Sequence, residues 1–286
     1  MISQLKIFVE LTRLNKPIGI MLLFWPCSWS LSYSFSINNN LNQFIYFLIL
    51  FFLGSLLMRS AGCIVNDIVD KDFDKKVERT KKRPLAANKI SVVHASIYVI
   101  FLCLISFFIL IQFNKLTIIL GMISMLFAFV YPFMKKITYW PQLFLGLTFN
   151  WGIIMGFAAA MNNISYEIFL LYTAAIFWTI GYDTIYGAQD IKDDEIIGVK
   201  STAIKFKKNI KLFISINYFF SLSFLLLFFK NKIGLNYSTI FIVLFIMSLI
   251  YQILLIKKKK PKKYLISFRL NNYSGLFIFL AFLLIK

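Results

Sequence analysis

Residues 43–74 read QFIYFLILFFLGSLLMRSAGCIVNDIVDKDFD, an apolar run that ends abruptly in a cluster of acids. The run from residue 43 to residue 65 carries one charge, Arg59, and is long enough to cross a bilayer, which takes roughly 17–25 helical residues. The next nine residues contain four aspartates. The apolar run therefore predicts a membrane-spanning helix, and the acidic segment that follows it is the first candidate functional region.

Eight other stretches have similar length and composition, so the sequence predicts an all-α, polytopic membrane protein, a bundle of nine transmembrane helices. Of the 286 residues, 59% are hydrophobic and 15% are charged, and mean hydropathy is +0.76. This composition excludes a disordered chain and a disulfide scaffold. The connections alternate between short and long, and together the spans predict one compact domain over residues 1–286. The ninth span is the weakest because polar residues interrupt its start. The other spans are predicted near Ile18–Phe35, Ala95–Phe113, Leu116–Phe133, Gln142–Met161, Ile168–Gly187, Leu212–Phe229, Ser238–Ile256 and Leu265–Ile285.

Positive charge is distributed unevenly between the two sides of the predicted bundle. The chain carries 31 Lys and Arg against 12 Asp and Glu, a net charge of +19. Most basic residues fall before the first span or in the loops after the second, fourth, sixth and eighth spans, which lie on one side. The positive-inside rule therefore predicts a cytoplasmic N-terminus. Because this bias accounts for the net charge, we expect no nucleic-acid partner.

Ten of the 12 acidic residues lie in two clusters that follow cytoplasmic ends of predicted spans. In each cluster, aspartates four residues apart share one helix face, where like charges repel and need compensation. Mg²⁺ takes one or two carboxylates together with phosphate oxygens and water, so the clusters predict two Mg²⁺ held against one diphosphate. The scarcity and spacing of the acids argue against solvated loop charges. The clusters are Asp67, Asp70, Asp72, Asp74 and Glu78, and Asp183, Asp190, Asp193, Asp194 and Glu195.

Basic residues lie close to these acids in the sequence. Residues 79–83, RTKKR, follow the first cluster, and Lys135 and Lys136 lie in the loop between the fourth and fifth spans. Lysine and arginine side chains bind phosphate. Arg59 differs because a charge inside an apolar span is costly and usually functional. Arg59 precedes Asn66 by seven residues, on the same helix face, so we expect it to point into the bundle; a purely structural ion pair is the alternative.

Aromatic residues are concentrated around the first and fifth spans. Aromatic side chains near span ends often form interfacial belts. They can equally form a wall around an apolar substrate or a cation, and the sequence leaves both interpretations open. The residues concerned are Trp25, Trp29, Tyr139, Trp140, Phe149 and Trp151.

These motifs resemble those of the UbiA-type intramembrane prenyltransferase superfamily over nearly the whole chain. Residues 66–74, NDIVDKDFD, are similar to its first aspartate motif, NDxxDxxxD, and residues 190–194, DIKDD, to its second, DxxxD. Finer features resemble the branch that prenylates 4-hydroxybenzoate. They are residues 13–19 (RLNKPIG), 58–63 (MRSAGC), 79–85 (RTKKRPL), 131–142 (YPFMKKITYWPQ) and 182–186 (YDTIY).

The resemblance implies an enzyme that transfers a polyprenyl group from a polyprenyl diphosphate to the ring carbon ortho to the hydroxyl of 4-hydroxybenzoate, a step of ubiquinone biosynthesis. It implies a protein among the lipids of the bacterial inner membrane, with its active site toward the cytoplasm. The implied Mg²⁺ ligands are Asp67, Asp70, Asp74, Asp190 and Asp194. The implied substrate-binding residues are Arg13, Arg59, Asn66, Arg79, Arg83, Lys135 and Lys136. The ring proton goes to Asp183 or to an aspartate of the second motif, and Arg59 or Arg13 pairs with the acceptor carboxylate.

Three alternatives stay open from the sequence. A different acceptor, such as a haem or a naphthoate, would need only a few changes in the pocket. A cation transporter would use the carboxylates as a pathway, although its acids are expected near mid-span rather than at span ends. A non-catalytic lipid-binding membrane protein would release no pyrophosphate.

Overall fold

The computed structural model describes residues 2–78, 80–230, 232, 237–257 and 260–285, and all regular structure within these residues is helical. Nine segments of the described chain are long and apolar enough to cross a membrane. The predicted all-α bundle of nine spans is therefore confirmed, and the chain is an integral membrane protein. The orientation of the N-terminus stays a prediction.

One of the nine spans is divided into two helices. The nine spans are α2 (Ile18–Asn38), α3 (Leu41–Val69), α5 (Val92–Leu110), α6 (Lys115–Ile137), the pair α7 (Pro141–Asn150) and α8 (Gly152–Met161), α9 (Tyr166–Gly187), α12 (Ile210–Phe229), α13 (Tyr237–Ile256) and α14 (Pro261–Leu283). Shorter helices are α1 (Ile2–Thr12), α4 (Lys71–Asp74), α10 (Ile191–Ile197) and α11 (Thr202–Lys205).

Two spans end on an asparagine in the left-handed conformation, which asparagine tolerates better than most residues. Asn39 has φ 51° and donates its N–H to Phe35 O at 2.9 Å. Asn162 has φ 53° and donates to Ala158 O at 2.9 Å. Asn40 then caps the next span, since its side chain accepts from Gln43 N at 3.0 Å. These residues explain the tight connections between consecutive antiparallel spans.

Two spans form the centre of the bundle. In the most apolar 18-residue stretches of α2 and α9, 72% and 67% of residues are buried, against 11% in α5. Helix α2 packs on α3, α8 and α14, and α9 packs on α7, α12 and α14. At one crossing, Gly275 of α14 faces Trp25 of α2 so closely that a Cβ would lie 2.3 Å from the indole Cδ1. Helices α3, α5 and α6 lie more peripherally.

The ninth span, expected to be the weakest, is anchored by the polar residues that weaken its hydropathy. Asn271 is fully buried. It accepts from Trp178 Nε1 at 2.8 Å and donates to Gln252 Oε1 at 3.0 Å. Asn272 accepts from Trp25 Nε1 at 3.0 Å. Interhelical hydrogen bonds of this kind replace water in a membrane interior, so the amides stabilise α14 within the bundle.

The fifth span was expected to be one helix, but it divides at Trp151 into α7 and α8. The division coincides with Asn150, whose side-chain amide donates to Gly146 O at 2.8 Å and to Thr179 Oγ1 at 2.8 Å. A side chain that bonds the carbonyl four residues earlier competes with the helical hydrogen bonds. The local break also lets Trp151 Nε1 donate to Leu120 O at 3.0 Å on α6.

Candidate functional site

The first acidic cluster lies where α3 ends. The predicted continuous helix is interrupted at Asp70, which has φ −96° and ψ 0°. Helical hydrogen bonding nevertheless continues, since Asp70 N donates to Asn66 O at 2.9 Å and Asp74 N donates to Asp70 O at 2.8 Å. Asp67, Asp70 and Asp74 are only 1%, 7% and 7% exposed. Three carboxylates of this motif are therefore buried within the protein.

Each of these buried carboxylates has a cation from another part of the chain. Arg13, just after α1, is paired with Asp67. Arg83 Nη1 lies 2.7 Å from Asp74 Oδ2 and 3.2 Å from Asp67 Oδ1. The third pair joins Lys135 of α6 to Asp70. Three of the basic residues predicted from the sequence therefore meet the first acidic cluster, which makes a compact group of opposite charges.

Of the described basic residues predicted to bind phosphate, Lys136 is not part of this group. Lys136 is exposed and lies 5.2 Å from the centroid of the Phe73 ring. Arg79 lies outside the described residues. In contrast, Asp72 of the same acidic motif has a side chain that is 89% exposed and is paired with Lys75 at 3.1 Å.

Two oxygens of the cluster have no hydrogen-bond partner among the described residues. They are Asp67 Oδ2 and Asp70 Oδ1, and both are buried. Burial raises the pKa of the Asp70 carboxyl above its usual value, and the neighbouring Lys135 opposes that rise. Because a buried polar atom without a partner is costly, these two oxygens are the positions at which a bound cation would be stabilising.

The second acidic cluster lies at and after the end of α9. Asp183 is on α9, Asp190 immediately precedes α10, and Asp194 lies within α10, with its N–H donating to Asp190 O at 2.9 Å. The segment after α10 reaches α6, since Lys200 N donates to Lys135 O at 2.9 Å. Among the described residues, no three His, Cys, Asp or Glu side chains come close enough to hold a metal ion by themselves.

Arg59 lies in α3, partly buried, as expected for a charge that points into the bundle. Its Cζ is 5.6 Å from the centroid of the Phe149 ring. Its Nε is buried and has no hydrogen-bond partner in the described chain. The Asp183 carboxylate lies within electrostatic range of this guanidinium and beside the Gln142 amide. Asn66, one turn beyond Cys63 on the same helix, is partly buried.

Two residues of this region were not assigned a role from the sequence. The hydroxyl of Tyr131 lies within electrostatic range of Asp183, Arg59 and Asp70, which belong to or lie near the two acidic clusters. Gln142 accepts from Thr202 N at 3.0 Å and is 5% exposed. Only their positions in the sequence could have indicated these residues. Tyr131 precedes Lys135 by one helical turn, and Gln142 follows the proline that begins α7.

An apolar cavity of about 650 Å³ lies beside α3, and none of the described residues that line it is charged. It is lined on α3 from Ile68, next to Asp67, to Leu50. At about 1.5 Å per helical residue, this wall is about 27 Å long. The other walls come from α2, α5, α6, α7 and α8. The cavity therefore offers an apolar space to a long, flexible ligand, and its lining approaches the ionic cluster along α3 at Ile68.

The aromatic residues around the first and fifth spans do not all lie in the same kind of environment. Trp151 lines the cavity, as the wall interpretation predicts. Trp25 and Trp29 are buried structural residues; Trp29 Nε1 donates to Gly275 O at 2.8 Å. Tyr139 is 43% exposed, as an interfacial position would be.

Comparison with known proteins gives consistent results. The model of the UbiA prenyltransferase family matches residues 23–282. The 4-hydroxybenzoate octaprenyltransferase of Coxiella burnetii (strain CbuK_Q154) is 40% identical over 291 residues, which cover 99% of this chain and 97% of that protein.

Two solved structures share the fold. One is the apo structure of a UbiA homolog from Aeropyrum pernix K1, with a TM-score of 0.77, 24% identity, and coverage of 91% of this chain and 96% of that one. The other is a UbiA homolog from Archaeoglobus fulgidus bound to GPP and Mg²⁺, with a TM-score of 0.73, 18% identity, and coverage of 97% and 99%.

Proposed function

The chain belongs to the UbiA prenyltransferase family, and we propose that it transfers a polyprenyl group from a polyprenyl diphosphate to the ring carbon ortho to the hydroxyl of 4-hydroxybenzoate, a step of ubiquinone biosynthesis. The observation that carries this proposal is the buried cluster of paired acids and bases beside an apolar cavity of about 650 Å³. Such a site suits a ligand with a charged diphosphate head and a long hydrocarbon tail.

The basic side chains of the cluster would bind the diphosphate. Arg13 and Arg83 present planar guanidinium groups, which match phosphate oxygens in pairs, and Lys135 presents a compact charge. Their pairing with aspartates that lie within six residues of Ile68, a residue that lines the cavity, supports this role. Arg79 and Lys136 are secondary candidates for the same role.

The aspartates fit Mg²⁺ as this ion is usually bound with substrate phosphates. Mg²⁺ needs only one or two carboxylates when phosphate oxygens and water complete its octahedral shell, so a site without three clustered protein ligands is compatible with it. The unpartnered Asp67 Oδ2 and Asp70 Oδ1 are suitable donors. Asp74, Asp190 and Asp194 would complete the set. When bound, Mg²⁺ would neutralise negative charge on the departing diphosphate.

Reaction begins with cleavage of the allylic C–O bond, and pyrophosphate leaves with the bonding electron pair. Arg13, Arg83 and Lys135 stabilise the charge that develops on it. The apolar lining of the cavity, including Trp151, excludes water from the prenyl cation. The ring carbon ortho to the hydroxyl then forms the new C–C bond, and loss of its proton restores aromaticity. Asp183, beside Gln142 and near Arg59, is our candidate to take that proton.

Arg59 would hold the acceptor by its carboxylate. Its partly buried guanidinium has an unused Nε donor and lies near Asp183, the candidate base. A guanidinium pairs with a carboxylate through two parallel hydrogen bonds, which fixes the orientation of the ring. Asn66, on the same face of α3, is the second candidate contact for the acceptor.

The proposal includes the surroundings of the protein. We place the N-terminus and the active site on the cytoplasmic side of the bacterial inner membrane, because the basic loops lie there by the positive-inside rule. The chain acts as one domain over residues 1–286, in contact with membrane lipid and with no nucleic acid.

Membranes containing the protein test the proposal directly. They are supplied with 4-hydroxybenzoate and a polyprenyl diphosphate, with Mg²⁺ or with EDTA, and the prenylated acid is sought by mass spectrometry. We expect product that requires Mg²⁺ and is lost in Asp67→Asn and Asp190→Asn. Diphosphate turnover without this product would redirect the assignment to another aromatic acceptor. No turnover by folded protein with any aromatic acceptor would overturn the enzyme assignment.

A further inference from the structure

Gly19, in the first turn of α2, is in direct contact with the guanidinium of Arg59 in α3. A Cβ at position 19 would lie 2.7 Å from Arg59 Nε, 3.1 Å from Nη2 and 3.3 Å from Cζ. Non-bonded heavy atoms are stable at about 3.5–4.0 Å, so a side chain at position 19 and the present position of Arg59 are incompatible. The absence of a side chain at Gly19 therefore permits the guanidinium to lie on the backbone of α2.

The guanidinium is also bounded by an aromatic ring. Arg59 Cζ lies 5.6 Å from the centroid of Phe149 in α7, within the range of a cation–π contact. Gly19 and Phe149 belong to two different helices, so together they restrict the plane and depth of the guanidinium. This restriction matters because Arg59 Nε has no hydrogen-bond partner among the described residues to orient it.

We propose that Gly19 is a positioning residue, which sets the guanidinium of Arg59 for pairing with the carboxylate of the aromatic acceptor and so contributes to selection of carboxylated acceptors. This inference rests on the proposed function, in which Arg59 receives that carboxylate. Even the smallest side chain at position 19 displaces the guanidinium by about 1 Å to restore normal contact distances. A displacement of about 1 Å can reduce a rate by about 100-fold when two groups must align.

Gly19→Ala is the direct test, and Gly62→Ala is its matched control. Gly62 lies in α3, three residues from Arg59, and a Cβ there meets no atom within 4 Å. We expect Gly19→Ala to raise KM for 4-hydroxybenzoate about 10- to 100-fold and to leave KM for the polyprenyl diphosphate unchanged. Selectivity for 4-hydroxybenzoate over phenol, which lacks the carboxylate, should fall by a similar factor. Gly62→Ala should change none of these quantities.

A double-mutant cycle separates positioning from a general structural role. In an Arg59→Leu background the side chain ends at Cδ and the colliding Nε, Cζ and Nη2 atoms have no counterpart, so adding Gly19→Ala should cost nothing further. Equal losses from Gly19→Ala in both backgrounds would overturn the inference. So would a Gly19→Ala protein that misfolds both alone and together with Arg59→Leu, because the collision would then not involve Arg59.

Failure of the inference is distinguishable from failure of the proposed function. If the native protein prenylates 4-hydroxybenzoate and Gly19→Ala leaves KM for the acid unchanged, only the role of Gly19 is wrong. If the native protein does not prenylate 4-hydroxybenzoate at all, the proposed function fails, and the role of Gly19 fails with it.

Discussion

The ammonium group of Lys135, near the end of α6, is paired with the carboxylate of Asp70, at the end of α3. The two residues are 65 positions apart in the chain. Both helices also line the apolar cavity, α3 as far as Ile68 and α6 as far as Phe129. The Lys135–Asp70 pair therefore connects the residues proposed to bind diphosphate with the space proposed for the tail.

Replacement of Lys135 should weaken binding of the prenyl diphosphate. A charge-assisted hydrogen bond contributes about 1.5–3 kcal/mol, so Lys135→Met is expected to raise KM for the polyprenyl diphosphate about 10- to 100-fold. The neighbouring Lys136 is exposed, and Lys136→Met should produce a clearly smaller rise. Steady-state kinetics at saturating 4-hydroxybenzoate measure both, and a larger effect at Lys136 would contradict the proposed arrangement.

Removal of one buried carboxylate charge should abolish most of the activity. Asp67→Asn keeps the shape of the side chain but leaves a neutral amide next to Arg13 and Arg83. We expect kcat to fall about 10²- to 10³-fold, the range typical for loss of one electrostatic stabiliser. Asp72→Asn is the matched control, because that side chain is 89% exposed. Similar losses in the two variants would argue against a special role for the buried acids.

A larger side chain in the cavity should make the enzyme favour prenyl diphosphates with short tails over those with long tails. Gly54 lines the cavity and a Cβ there meets no atom within 4 Å. Gly54→Leu is expected to reduce transfer from long polyprenyl diphosphates much more than transfer from dimethylallyl diphosphate. Product ratios from a mixture of the two donors give the measurement, with Gly54→Ala as the smaller step. An unchanged ratio would mean that the tail lies elsewhere.

A side chain at Gly275, where α14 packs closely on Trp25, should destabilise the bundle. A Cβ on Gly275 would lie 2.3 Å from Cδ1 and 2.5 Å from Cγ of the indole. Overpacking of this kind costs about 1–3 kcal/mol, so Gly275→Ala should lower the midpoint of thermal unfolding in detergent. Gly62→Ala, whose Cβ meets no atom within 4 Å, should leave the midpoint unchanged or raise it, since alanine favours helix.

Loss of the Asn271 amide should also lower stability. Asn271→Leu leaves Trp178 Nε1 without its acceptor and Gln252 Oε1 without one of its donors. Interhelical hydrogen bonds in membranes contribute about 1–2 kcal/mol at most, which is the loss expected. Tyr273→Phe, on an exposed face of the same helix, provides the control, and equal unfolding midpoints for the two variants would contradict a stabilising network.

The spans and the residues of the first motif were predictable because they depend on local composition and spacing. A long apolar run must form a helix in a membrane, since no water is present to satisfy its backbone. The boundaries in the structure differ by a few residues, as at α14, which begins at Pro261 rather than near Leu265. The break at Trp151 was not predictable, because the contacts beside it, such as that of Asn150 with Thr179, join residues of different helices.

The sequence by itself determined that this protein is a nine-span helical bundle with two aspartate motifs, because hydropathy and four-residue spacing are properties of adjacent residues. Only the tertiary structure decided which charges meet. It paired Arg13 with Asp67 and Lys135 with Asp70, and it laid the Arg59 guanidinium on Gly19. These contacts join residues far apart in the chain, and they exist only when helix packing brings the spans together. The cavity likewise has no local signal, since it is the space that several helices leave between them.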